Sequence, residues 1–299
     1  MNVALHSHQY AITVDNSDQL LDIQQLPEQG VGIFSLNSLI QQLNLYPATF
    51  LSNKEGHEEI VELAKQRLGN EDDLAQGYMD YIVDALELIA SVDKEKPVRI
   101  SLPDLTTNKI ANLEGGQPLN NSDSGLGIRG VSHLLSDTYQ QAFKLECKAI
   151  AYTRNELGLT NIELVVPFVR TATESAQIID KLAENGLYRG VNGLKVSYHC
   201  ATPSAALLSS ALLKYFDGVV IDTSLLTQFT LAIDLSSAEL SSQFDPANKA
   251  VIDIIEKTLQ AAKSANKPSV LMGLNLTAES KLFDQLEDDN IDTISLSTI

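Results

Sequence analysis

The sequence predicts a single (β/α)8 barrel of the α/β class, and three observations predict it. Eight short runs rich in β-branched residues alternate with longer helix-like segments, as βα units around a parallel sheet do. The chain has 299 residues and is 44% hydrophobic, enough to bury the core of one large domain. No Pro/Gly/Ser-rich linker and no internal repeat divides it, so residues 1–299 read as one domain.

The candidate strands are 10–14, 30–34, 98–102, 162–168, 194–199, 218–223, 269–273 and 293–296. Eight is the number that closes such a barrel. Between them, 132–157 places Leu135, Tyr139, Ala142 and Leu145 at the spacing of one helical face, and 174–185 and 247–265 read the same way. The acidic stretch 53–95, with polar Asn70–Asp73 at its middle, predicts a helical hairpin inserted between the second and third strands. The chain stops at Ile299, directly after the eighth strand, so the last helix of a complete barrel is expected to be missing. The groove this leaves predicts a homodimer, or failing that a cover made by residues 1–9.

Composition excludes several function classes. A net charge of -18 and a pI near 4.5, with no cluster of Lys and Arg, argue against nucleic acid and anionic membrane as partners. No apolar run approaches the roughly 18 to 20 residues of a membrane span, and residues 1–10 lack the pattern of a signal peptide, so the protein is expected to be cytoplasmic. Cys147 and Cys200 lie in apolar segments far apart and are expected to be buried thiols. His6-x-His8, with His199 and Asp292, has residue types found in metal-binding barrels, but His6 and His8 precede the first strand, on the side away from barrel chemistry. His57 and His133 read as solvated or capping residues.

Several blocks carry a resemblance. QGVGIFSLNSLI from Gln29, SLPDLTTNKIANLEGG from Ser101, GIRGVS from Gly127, HCATPS from His199 and DTSLLTQ from Asp222 stand in the order and spacing of the phosphoenolpyruvate synthase family. Over roughly residues 11–296 the chain resembles that family's C-terminal barrel, which implies a barrel of the phosphoenolpyruvate/pyruvate-binding type. The resemblance implies Mg2+ held by a Glu and an Asp, arginines on phosphate and carboxylate, and an acid cysteine. It also implies a phosphohistidine on a separate domain as phosphoryl donor. This sequence shows no Walker-type loop and no glycine-rich loop followed by a suitable His, so a partner would have to supply the ATP-using and phosphohistidine domains.

The positions that match the family's site are largely changed. Ala201 and Leu225 stand where the resemblance puts the two metal carboxylates, Ser35, Ser101 and Leu235 where it puts arginines, and Met272 where it puts the acid cysteine. Neither alanine nor leucine can ligate Mg2+, which wants hard oxygen donors, and a thioether has no proton to give. No cofactor is therefore expected. Arg129 matches a phosphate-binding arginine, and Asp104, Thr107, Asn108, Thr227 and Gln228 are kept, with Ser224 replacing an Asn. A weakly held small anion, phosphoenolpyruvate or pyruvate, is expected against Arg129 with help from Asn108, Ser35, Ser101 and Ser224. The alternative for Arg129 is a structural pairing with Asp104. The function expected is non-catalytic: binding, regulation or assembly. The alternative is a residual enzyme acting on a small keto acid.

Overall fold

The computed structural model describes residues 9–14, 31–52, 54–116, 126–235, 237–274, 276, 280–283, 285–286 and 291–297. The expectations placed on His6, His8, Gln29 and Gly30, and on residues 1–8 as a cover, lie outside them. Eight strands close into a barrel in chain order: β1 (Gln9–Val14), β2 (Val31–Ser35), β3 (Val98–Ser101), β4 (Ile162–Val166), β5 (Val196–Cys200), β6 (Gly218–Asp222), β7 (Ser269–Met272) and β8 (Thr293–Ser297). Every neighbouring pair is parallel, and β8 returns to β1 in register from Gln9 opposite Thr293 to Thr13 opposite Ser297. Each strand-like run of the sequence lies on one of these eight.

The strands are short because a barrel needs only enough residues to stack a few layers of side chains inside and to pack helices outside. Ile33, Val165, Val220 and Val270 form a small inner cluster capped by Met272, separate from the large core between strands and helices. That alternation sends successive residues to opposite sides, one into the barrel and one under a helix.

Helices begin where side chains satisfy free backbone N–H groups. Ser35, the last residue of β2, caps α1 (Leu36–Leu43) by accepting from the Asn37 amide at 3.2 Å. The predicted insertion is a helical pair, α2 (Glu58–Leu68) ending at left-handed Gly69 and α3 (Leu74–Ala90) capped by Asp73. His57 stands at the start of α2 without a side-chain cap, its Nδ1 2.7 Å from Ser52 Oγ. No helix among the described residues is long and apolar enough to cross a membrane.

The stretch 132–157 is a correction, because the structure breaks it. A short helix, Val131–Leu134, is followed by α4 (Gln140–Asn155). Ser136 stops the first by donating to the His133 carbonyl and accepting from the Tyr139 amide, a local alternative to helical bonding. The buried face of α4 runs through Ala142, Phe143, Glu146 and Cys147, while Leu135 and Leu145 are only half-buried. His133 is likewise not solvated: it is buried, 2.9 Å from Tyr46 Oη and packed on Tyr139. The remaining long helices are α5 (Ala172–Glu184), capped by Thr171, α6 (Thr223–Leu231), capped by Asp222, and α7 (Lys249–Ser264), capped by Asn248.

Candidate functional site at the barrel mouth

A cavity of about 290 Å³ opens at the C-terminal ends of the strands, the face on which barrel chemistry sits. Its apolar floor is Ile33, Val165 and Val220. Around it stand Ser35 from the end of β2, Ser101 from β3 and Thr13 from β1, whose hydroxyl shares a 2.7 Å hydrogen bond with Ser295. The ionisable groups of the wall are Asp104, Lys109, Arg129, His199 and Asp222.

Arg129 is buried, and one edge of its guanidinium, the Nε/Nη2 side, is occupied by a single carboxylate. Nε donates to Asp104 Oδ1 at 3.0 Å and Nη2 to Asp104 Oδ2 at 2.6 Å. The Asp104 amide in turn donates to Asn37 Oδ1 at 2.8 Å, fixing the carboxylate to α1. The guanidinium also lies 4.2 Å over the Phe168 ring, a stacked cation arrangement. Phe168 holds this place with a left-handed backbone, φ 50°, uncommon for a bulky residue and strained. Gly130 makes the approach feasible, since a Cβ there would sit 2.4 Å from Phe168 Cβ. Gly130 thus serves the packing of Phe168.

His199 and Asp222 form the second pair, at the ends of adjacent strands, with Nε2 3.2 Å from Asp222 Oδ2. Asp222 Oδ1 accepts from the Leu225 amide at 2.9 Å, so one carboxylate both orients the imidazole and caps α6.

Other expected residues are distributed unevenly. Ser35, Ser101 and Arg129 reach the cavity, as do Leu225 and Met272 at the positions matched to the metal carboxylate and the acid. Asn108 does not: it is exposed on the short helix Thr107–Ala111, whose next residue, Lys109, faces the cavity instead. One step along a helix turns a side chain by about 100°. Ser224 is also displaced from the wall, its Oγ accepting from the Leu274 amide at 2.6 Å. Ala201 is fully buried and Leu235 half-buried, both away from the cavity wall. Asp292, just before β8, holds the amide and hydroxyl of Ser269, the first residue of β7, at the opposite end from His199. Both cysteines are buried and free, and burial pushes the Cys200 thiol up to about 12 as it faces Thr258 of α7.

Asp222 and Lys109 were missed as site residues. Asp222 could have been found: it directly precedes TSLLTQ, where the resemblance has glycine, and an acidic residue at that point is a helix-start signal.

For a divalent ion the mouth offers the carboxylates of Asp104 and Asp222. The first gives both oxygens to Arg129, and the second divides its oxygens between His199 and the Leu225 amide. Leu225 and Met272 add only apolar surface and a soft thioether. This donor set does not fit Mg2+.

Eight parallel strands closed in chain order, with a polar cavity at their C-terminal ends, define the class of (β/α)8 barrels. The chain belongs to the family of PEP-utilising enzyme, PEP-binding domains, whose model matches residues 3–299. It is 35% identical over 289 residues to the phosphoenolpyruvate synthase of Pseudomonas aeruginosa and 32% identical over 289 residues to that of Escherichia coli, covering 96% of this chain in both cases. It spans 36% of the length of those relatives. A solved HpcH/HpaI aldolase/citrate lyase family protein from Burkholderia cenocepacia superposes with a TM-score of 0.50 at 10% identity, over 97% of this chain and 88% of that one, a likeness of fold alone.

Proposed function

We propose that this phosphoenolpyruvate synthase-like barrel is a non-catalytic binding, regulatory or assembly module whose mouth takes a small anion, phosphoenolpyruvate or pyruvate, weakly. One observation carries the reading: the guanidinium matched to phosphate binding is already paired along its Nε/Nη2 edge with the buried carboxylate of Asp104. An incoming phosphate must compete with a buried carboxylate already in place. Leu225 and Met272 in the cavity wall support the same conclusion, because neither supplies charge or a proton. Losing one preorganised electrostatic group typically removes about 3 to 4 kcal/mol of transition-state stabilisation, and several are changed here. Self-association into a homodimer belongs to this reading, and sedimentation at micromolar concentration tests it.

The second reading, a residual enzyme acting on a small keto acid with phosphotransfer domains supplied by a partner, is favoured by the His199–Asp222 pair in the wall. Exchange of pyruvate methyl protons with deuterated solvent separates the two. The non-catalytic reading expects exchange at the buffer rate with and without Mg2+; Mg2+-dependent exchange overturns it. Thermal shifts with phosphoenolpyruvate, pyruvate and oxalate test binding, since a native-state ligand at ten times its Kd adds about 1.4 kcal/mol of stability.

A further inference from the structure

The cavity's charge inventory and the hydrogen bond on His199 together say more about the ligand, and this inference rests on the small-anion part of the function proposed above. All 21 Lys and Arg residues of the chain fall within the described residues. Lys109 and Arg129 are those that line the cavity, and Arg129 is already neutralised by Asp104. One cation, Lys109, is left to meet an incoming ligand, while Asp222 presents a carboxylate of its own. A molecule carrying both a phosphate and a carboxylate brings more negative charge than this wall can balance.

The neutral part of the ligand is read by His199. An ionised Asp222 is an acceptor only, so the imidazole nitrogen facing it, Nε2, carries the proton. In the neutral ring Nδ1 is then an acceptor, and it has no hydrogen-bond partner among the described residues. His199 lines the cavity, and a ring acceptor pairs with a ligand O–H and not with a ligand C=O.

We propose that the mouth is a site for a small 2-hydroxy monocarboxylic acid, whose carboxylate faces Lys109 and whose hydroxyl donates to His199 Nδ1. The Asp222 carboxylate sets the selectivity by fixing the tautomer, and so acts as a positioning residue. The proposal involves binding only, with no covalent step.

Three acids of one size separate the possibilities: lactate, pyruvate and propionate, titrated calorimetrically into the full chain at pH 8. Lactate is expected to bind about tenfold tighter than the other two, the worth of one hydrogen bond to a buried partner. Asp222→Asn is the decisive variant. Asparagine still caps α6 through its carbonyl oxygen, while its amide donates to Nε2 and moves the ring proton to Nδ1. The preference should then invert, with pyruvate tighter than lactate, and circular dichroism should show the fold unchanged. His199→Gln should bring lactate to the level of propionate. If wild type binds pyruvate or phosphoenolpyruvate tighter than lactate, or if the preference survives both substitutions, the hydroxy-acid site is overturned while anion binding stands. If none of these acids binds, both readings fail.

Discussion

Tyr139 donates a 2.6 Å hydrogen bond to Glu146 Oε1 inside the core, and Tyr78 of α3 donates to the same oxygen at 3.1 Å. The other oxygen, Oε2, is buried with no partner, as is Nδ1 of His133 nearby. Burial pushes the Glu146 carboxyl up to about 7, against the pull of its tyrosines. Burial pushes the His133 imidazole down to about 4, against the pull of the Asp104 charge. The two groups therefore make opposite demands on pH. Because the folded-state pKa of Glu146 is raised, its stabilisation is complete below about pH 4.5 and lost as pH rises to about 7. Because that of His133 is depressed, its contribution is complete above about pH 6.5 and lost as pH falls to about 4.

Between about pH 4.5 and 6.5 the two slopes cancel, so wild-type stability is expected to be flat there while single variants are not. Glu146→Gln should lose about 1.4 kcal/mol per unit as pH falls through this window, and His133→Gln should lose as much per unit as pH rises. Urea midpoints at pH 4.5, 5.5 and 6.5 check this. Parallel pH profiles for the two variants would count against it.

Asp104 is predicted to hold down anion affinity. Asp104→Asn should free one edge of the Arg129 guanidinium and strengthen oxalate binding about tenfold or more, read by calorimetry. Removing the arginine acts differently. Arg129→Ala leaves a buried carboxylate unpaired and should cost about 3 to 5 kcal/mol of stability, and an Arg129→Met, Asp104→Leu double variant should recover most of it. Equal losses in the single and double variants would mean that the pair itself is not the source.

Gly130→Ala should destabilise the barrel by about 1 to 3 kcal/mol or prevent folding. The position has φ 56°, and the new methyl would meet Phe168 Cβ and the Pro167 carbonyl. Urea denaturation reads the loss; a change within 0.5 kcal/mol, roughly the spread of neutral surface substitutions, would show that the Phe168 turn yields easily.

Mg2+ titrated into the wild type is expected to give no heat from a specific site at the mouth. Leu225→Asp, which returns a carboxylate to the cavity wall near Asp222, should create one, visible as Mg2+-dependent heat and a raised Tm. A micromolar wild-type site that is lost on substituting Asp222 would refute the expectation.

The barrel was legible because strand runs such as IELVV and GVVID are β-branched, short and bounded by turn residues. The break at Ser136 was not, because a serine inside a helical pattern signals a stop only once its hydroxyl is seen bonding locally. At the site, residues fixed by strand ends were predictable: Ser35 and Ser101 face the cavity as their places in β2 and β3 require. Those on short helices were not, which is why Asn108 gave way to Lys109. The His199–Asp222 pair escaped notice because it depends on the register of two strands whose residues lie 23 positions apart.

Ser35 and Asp222 each do two jobs, lining the mouth and starting a helix. A hydroxyl or carboxylate at such a junction is wanted by the backbone whether or not any ligand ever arrives, since replacing a cap by alanine costs about 1 kcal/mol. Folding alone can therefore keep the rim of this barrel hydrophilic. Polarity at such a mouth is weak testimony to use, whereas that of His199, which caps nothing, is more telling.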